Sequence, residues 1–391
     1  MVTSASNDRL GIECPVIRNP ELELARPEEI EPLLTRLADR RSFDHVEVLP
    51  RGSLRPDGSL DLCKQGLGPN GLDAVVHGAR LHPSVKHLLL GTNALGSPGI
   101  AALSEAVSEE HHIETLYLGC NLIDGPAIKP LATALRHDTT VEALWLKRNP
   151  LGADGISHIA DLLAANTSLR IVDLVNTGID RRGLEELASG LSSNSSNRIE
   201  RLYLGGNHLD PDAAEAIGSI VDAAPHLAFL SVAVNRLGDE GFASLTRVAE
   251  NHPQLRDLGA ASNGLTSASA DSLRRGAGPL SSLDLGVAPS TAVLGGDVNR
   301  VGDAGIIAIA ESIREANGDS LLQALDLRQN GVTSRGAGIL ADVMASSPHS
   351  LQSVQLGAGI ATTIKQRVTR QLHTDASADE PDLSVIASRY R

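Results

Sequence analysis

Val141-Glu142-Ala143-Leu144-Trp145-Leu146-Lys147-Arg148-Asn149-Pro150-Leu151 decides the fold of this chain. Its apolar positions one, four and six, followed by Asn at nine and an aliphatic residue at eleven, read L-x-x-L-x-L-x-x-N-x-L. The same unit is plain at Val85-x-x-Leu88-x-Leu90-x-x-Asn93-x-Leu95 and at Leu322-x-x-Leu325-x-Leu327-x-x-Asn330-x-Val332. First positions fall at 57, 85, 113, 141, 169, 199, 227, 255, 280, 322 and, in a partial copy, 351, mostly 28 residues apart. A period of that length marks a stacked-repeat architecture rather than a conventional globular domain. Each repeat then buries its apolar face on its neighbours, so 391 residues need not divide into several domains.

Alternating leucines in L-x-x-L-x-L point from a short strand into the core, and the residues between them point outward. The Asn turns the chain, and its amide can satisfy backbone groups left unpaired by the bend. Stretches such as Gly96-Ser97-Pro98-Gly99-Ile100 and Gly152-Ala153-Asp154-Gly155-Ile156 follow, where Ser or Asp suits a helix N-cap. Ala160, Leu162 and Leu163 then supply the apolar stripe of a helix.

Strand plus helix in about 28 residues, with a helix-side Gly at 99, 155, 183, 241, 305 and 336, resembles the ribonuclease-inhibitor class of leucine-rich repeats, in its bacterial variant. The resemblance covers about residues 57–361. It implies an α/β leucine-rich repeat solenoid, a right-handed horseshoe with a parallel β-sheet on the concave face and helices on the convex face. Mammalian ribonuclease inhibitors are rich in cysteine, whereas this chain has only Cys14, Cys63 and Cys120, so ribonuclease inhibition is not carried over.

The flanks and breaks of the period define the organisation. Residues 1–56 are expected to form an N-terminal cap, with a helix over 26–40 and a hairpin built from Val46, Val48 and a Pro56-Asp57-Gly58 turn. Residues 57–361 hold about ten repeats, 362–373 a closing helix, and 374–391 an acidic linker and tail. The spacing stretches to 42 before Leu322, because 287–298 is inserted after the strand and the expected Asn arrives late, at Asn299. Such an insertion forms either a binding lip on the rim or a neutral excursion.

Net charge is −14, which disfavours a nucleic-acid partner and suits a protein with a basic patch. Sparse cysteine, no signal-like N-terminus and no long apolar run point to a cytoplasmic protein that does not enter membranes, and abundant Arg, Ala and Gly hint at a bacterial source. Cys63 and Cys120 lie two strands apart, roughly 10 Å, which is beyond disulfide reach.

The candidate binding surface comes from the aromatics. The chain has three Phe, three Tyr and one Trp, and four of these seven rings, Tyr117, Trp145, Tyr203 and Phe229, fall at outward strand positions three or five. A solenoid core requires no rings there, while binding hot spots favour Trp, Tyr and Arg. Lys147, Arg148, Asp173 and Arg201 sit on the same face. Small residues at positions seven and eight, such as Gly91, Gly119, Cys120, Gly205 and Gly206, are expected to admit close approach.

Catalytic signals are weak. Gly66-x-Gly68-x-x-Gly71 matches a dinucleotide fingerprint, but the repeat accounts for its glycines and the acidic ribose partner is missing. His111-His112 beside Glu109 and Glu110 reads as a surface charge cluster rather than a metal site. The expectation is therefore no enzyme, no cofactor and no metal, and a non-catalytic scaffold holding a protein or peptide on the concave face. In one alternative, residues 382–391 end in a recognition or modification motif, Arg389-Tyr390-Arg391, presented by the linker; the plain counter-reading has this tail docking back as part of the cap. In another, the chain is a bacterial effector mimicking eukaryotic repeat adaptors, although 1–56 holds no convincing F-box-like segment. The GTPase-activating protein of nuclear transport shares the broad fold and no further motif.

Overall fold

The computed structural model describes residues 23–373 and Ile386. The chain divides into two compact units, Met1–Ile199 with Asp379–Arg391, and Glu200–Ala378. Cys14 and the Arg389-Tyr390-Arg391 motif lie outside the described residues.

The first unit opens with α1 (Pro27–Ala38), which buries Ile30, Leu33 and Leu37, and then two short strands, β1 (Glu47–Val48) and β2 (Ser53–Leu54). These pair antiparallel with each other, and β2 pairs antiparallel with β3 (Ser59–Asp61). The single hairpin expected from the sequence is thus a three-strand meander. Its first turn lies at Pro50-Arg51-Gly52, and the Pro56-Asp57-Gly58 turn closes the second, where Ser59 N–H donates to Asp57 Oδ1 at 2.9 Å.

From β3 onward strands and helices alternate: α2 (Gly68–Leu81), β4 (His87–Leu89), α3 (Gly96–Val107), β5 (Thr115–Tyr117), α4 (Gly125–Leu135), β6 (Ala143–Trp145), α5 (Gly152–Leu163), β7 (Ile171–Asp173) and α6 (Arg181–Ser193). β3 to β7 pair in parallel, so that Leu60, Leu88, Leu116, Leu144 and Val172 form one buried row. The alternate residues Asp61, Leu89, Tyr117, Trp145 and Asp173 form a second row on the opposite, outward side. Helices stack at close range because of glycine: a Cβ on Gly155 would stand 2.8 Å from the Leu151 Cβ and 3.3 Å from the Gly125 Cα.

The second unit repeats the pattern through β8 (Arg201–Tyr203), α7 (Ala214–Ala223), β9 (Phe229–Ser231), α8 (Gly238–Asn251), β10 (Asp257–Gly259), α9 (Ala270–Gly276), β11 (Ser282–Asp284), α10 (Gly302–Ala316), β12 (Ala324–Leu327), α11 (Ser334–Ser346), β13 (Ser353–Leu356) and α12 (Thr362–Gln371). Strands β8 to β13 are parallel and in register. No helix among the described residues is long and apolar enough to cross a membrane.

Asparagine at position nine stitches the repeats together. The Asn121 amide donates to Leu118 O of its own strand at 3.0 Å and to Leu90 O of the preceding one at 2.9 Å. Its backbone N–H in turn donates to Asn149 Oδ1 at 2.8 Å. Asn93, Asn149 and, in the second unit, Asn235 repeat the arrangement. Thr177 takes this position in the β7 repeat and donates its hydroxyl to Leu174 O at 2.8 Å.

Several expectations change at this level. Ser97 and Asp154 do not cap their helices: α3 and α5 begin at Gly96 and Gly152, whose N–H groups donate to Asn121 O and Thr177 O. Side-chain caps appear elsewhere, at Asp124 and Asp180, each accepting from an N–H of the first turn. Position eight is not generally small: its backbone is left-handed in Thr92, Cys120, Arg148, Asn176, Val234, Ser262 and Gln329, and Gly206 is the residue for which that costs least. His111 is not in a surface cluster but buried, its Nδ1 accepting from Ile113 N–H at 3.1 Å and its Nε2 contacting Asp138 Oδ2 at 2.9 Å. The 287–298 insertion packs back on earlier repeats instead of standing free. Leu294 is buried, the Thr291 hydroxyl meets the Ser262 hydroxyl at 2.7 Å, and a Cβ on Gly296 would lie 2.7 Å from Val234 Cγ1. Asn299 then restores the ladder, donating to Ala260 O and Leu285 O at 2.9 and 3.0 Å.

Candidate binding surface

The outward side of each unit is built from strand positions three and five, with positions seven and eight along its edge. In the first unit Tyr117 and Trp145 are adjacent in register, with Leu89 before and Asp173 after. Both rings lie on the side expected from the alternation, yet both are buried, Trp145 completely. Lys147 lies with its Nζ 5.7 Å from the Tyr117 ring centre. Burial depresses its ammonium pKa, and Asp173 opposes that shift. Gly91 is required by the ring beside it: a Cβ there would stand 2.6 Å from Tyr117 Cε1.

Asp173 Oδ1 accepts from Val175 N–H at 2.8 Å, and Asp61 Oδ1 from Cys63 N–H at 3.2 Å, so these outward carboxylates also brace the bend after their strands. Arg148 is half-buried in the left-handed turn residue of its repeat. At position two, Lys86 pairs with Glu114 at 2.7 Å and Arg170 with Glu142 at 3.1 Å, so these glutamates are matched across neighbouring repeats rather than waiting for a partner's cation. A cavity of about 480 Å³ opens where the meander meets this face, lined among others by Val48, Gly52, Asp61, Cys63, Lys64 and Tyr117. Desolvation raises the Cys63 thiol to about 11, so it is not a ready nucleophile.

In the second unit Arg201, Tyr203 and Phe229 form one cluster. The Arg201 guanidinium carbon sits 4.3 Å from the Phe229 ring centre, and its Nε donates to the Tyr203 hydroxyl at 3.3 Å. The two rings are 4.8 Å apart and tilted by 40°. Pairing in register sets this geometry: Arg201 stands opposite Phe229, and Tyr203 opposite Ser231. Tyr203 is buried, while Arg201 and Phe229 keep partial exposure. Farther along, Asp326 pairs with Arg328 at 2.6 Å. The Asp284 carboxyl is raised above its ordinary range, first by burial and further by the Asp326 charge.

The sequence reading missed a second polar ladder, at the turns from helix to strand. Asp138 Oδ1, Asn166 Oδ1 and His252 Nδ1 accept from Val141, Leu169 and Leu255 N–H at 2.6, 2.8 and 2.9 Å. His82 and His349 do the same for Ser84 and Leu351 N–H. No shared letter marks these positions, only a short acceptor two or three residues before the repeat begins. Among the described residues, no group of three or more His, Cys, Asp or Glu is placed to hold a metal ion.

Strands turned to one side, helices to the other and the asparagine ladder between them define an α/β leucine-rich repeat solenoid. A family model described as "Leucine Rich repeat" matches residues 165–188. No curated protein matches the chain. Among solved structures, an internalin from Listeria monocytogenes is similar at 14% identity and TM-score 0.43, covering 96% of this chain and 98% of that one. The TLR13–ssRNA13 complex is similar at 16% identity and TM-score 0.42, over 71% of this chain and 36% of that one. The tropomodulin C-terminal domain of Caenorhabditis elegans is similar at 17% identity and TM-score 0.31, over 37% and 90%.

Proposed function

We propose that this chain is a non-catalytic scaffold that binds a protein or peptide on the strand face of its repeats, the face made concave by the solenoid reading. Arg201 and Phe229 are the accessible anchor, and Tyr203 is their buried support. The observation that carries this reading is the cation–π cluster itself: an Arg over a Phe at 4.3 Å, on the side of the strands where keeping the repeats folded needs neither. Asp257, Asp326 and Arg328 give the same face both signs of charge, which suits a partner with patterned charge. A protein partner fits the net charge of −14 better than a nucleic acid does. The ribonuclease-inhibitor-like repeat class and a bacterial, cytoplasmic setting belong to the same proposal, supported by the strand–helix period and the composition.

Affinity capture from native cells with the full chain, followed by titration of the captured protein, tests the reading. Replacing both Arg201 and Phe229 by Ala is expected to weaken that complex by about 2 kcal/mol or more, roughly thirtyfold, as for hot-spot residues. Unchanged affinity, with binding lost instead on replacing Arg181 or Arg182 of α6, would place the contact on the helices and reject the proposal.

A further inference from the structure

The two units treat the same strand positions differently. In the first, the outward residues of β3 to β7 are Ser59, Asp61, His87, Leu89, Thr115, Tyr117, Ala143, Trp145, Ile171 and Asp173; all are buried except His87, which is half-buried. In the second, Tyr203 and Gly259 are also buried, but the other equivalent residues, Arg201, Phe229, Ser231, Asp257, Ser282, Asp284, Ala324 and Asp326, keep partial exposure, and Ser353 and Gln355 are exposed. Both sets stand on strands of one type with helices on the opposite side, so strand geometry does not account for the contrast. A tryptophan at 0% exposure on the side away from the leucine core needs something lying over it.

One residue beyond His373 is described, and it points to a candidate for the cover. Ile386 is fully buried, and it groups with the first unit, while the residues up to Ala378 group with the second. It belongs to Asp382-Leu383-Ser384-Val385-Ile386-Ala387-Ser388-Arg389-Tyr390-Arg391, which combines three large aliphatic residues with two terminal arginines. The covered face offers matching chemistry: apolar surface from Leu89, Tyr117, Trp145 and Ile171, and carboxylates from Asp61 and Asp173. The length also fits. Five strands at about 4.8 Å spacing cover roughly 20 Å, and ten extended residues reach about 33 Å.

We infer that the C-terminal segment 382–391 lies across the outward face of β3 to β7, with Ile386 as its buried anchor, so that the chain itself occupies this part of its strand face. The inference deepens the scaffold reading by dividing the surface: a foreign ligand meets Arg201 and Phe229 directly, but reaches Trp145 only by displacing the tail. It also makes a tail offered freely for modification unsuitable as the resting state.

Trp145 is the only tryptophan in the chain, so its fluorescence reports this contact without any knowledge of an external partner. In the full-length protein, emission is expected to be blue-shifted and weakly quenched by acrylamide. Ile386→Asp is expected to red-shift it and raise the quenching constant several-fold, with the circular dichroism spectrum unchanged. A synthetic peptide of residues 382–391 should restore protection saturably, and a scrambled peptide should not. If Ile386→Asp loses helicity, the double variant Arg389→Glu/Arg391→Glu, which inserts no charge at the buried anchor, is read in the same way. Equal quenching of wild type and tail variants would overturn the inference. Protection that disappears on dilution of the wild type would do so too, because a second copy would then be the cover. Release of Trp145 by Ile17→Asp rather than by the tail variants would assign the cover to the N-terminal segment and reject it as well. None of these outcomes bears on Arg201 and Phe229, so failure here and failure of the scaffold reading are separable.

Discussion

Asn149 shows how much a single side chain does in this architecture. Its amide donates to Leu118 O and Leu146 O, and its oxygen accepts from Asn121 N–H and Ile123 N–H, so two neighbouring repeats are joined through one residue. Asn149→Ala takes this partner from Leu146 O, Asn121 N–H and Ile123 N–H at about 1–3 kcal/mol each, with partial relief where water enters, while Leu118 O keeps the Asn121 amide. We expect a loss of about 3 kcal/mol or more in unfolding free energy, measured by urea titration. A loss below about 1 kcal/mol would show that the ladder is ornamental. At Gly91 the limit is steric rather than polar. Gly91→Ala should displace the Tyr117 ring, which lies 2.6 Å from the added Cβ, and should raise Trp145 quenching.

Among the elements, the turns from helix to strand carry the pH response. His82, His252 and His349 each accept a backbone N–H at Nδ1, which requires that nitrogen to be unprotonated. Burial depresses their pKa values below the ordinary 6.5. The unfolded chain then binds protons that the folded chain refuses. Stability contributed by these groups is full above about pH 6.5 and is lost as pH falls toward their folded values. Melting temperature should therefore decline on acidification below that point. Asn does the same job at Asn166, so His252→Asn keeps the acceptor and removes the titration. Its stability is expected to depend less on pH between 6.5 and 5 than that of the wild type; an unchanged slope would exclude His252 as a contributor.

In the whole molecule, what the sequence discloses follows from which features the repeat forces to be periodic. Leucine alternation and Asn at position nine predict the strands, their register and even the late arrival of Asn299, because each copy must meet the next in the same way. The turn ladder is invisible to the same reading, since Asp138, Asn166 and His252 solve one hydrogen-bonding problem with three different letters. Outwardness of Tyr117 and Trp145 follows from period two, but their burial does not, because alternation says which side a residue takes and nothing about what covers that side. The sequence leaves the loop at 287–298 open between a lip and an excursion for a related reason: Thr291 and Gly296 find their contacts on the two preceding repeats, at Ser262 and Val234. The central claim is that the strand face around Arg201 and Phe229 is where a partner docks. Hydrogen–deuterium exchange of the full chain with and without the captured partner tests it most directly. The account predicts slowed exchange confined to β8, β9 and their following turns; slowing confined to the α7 and α8 helices would contradict it.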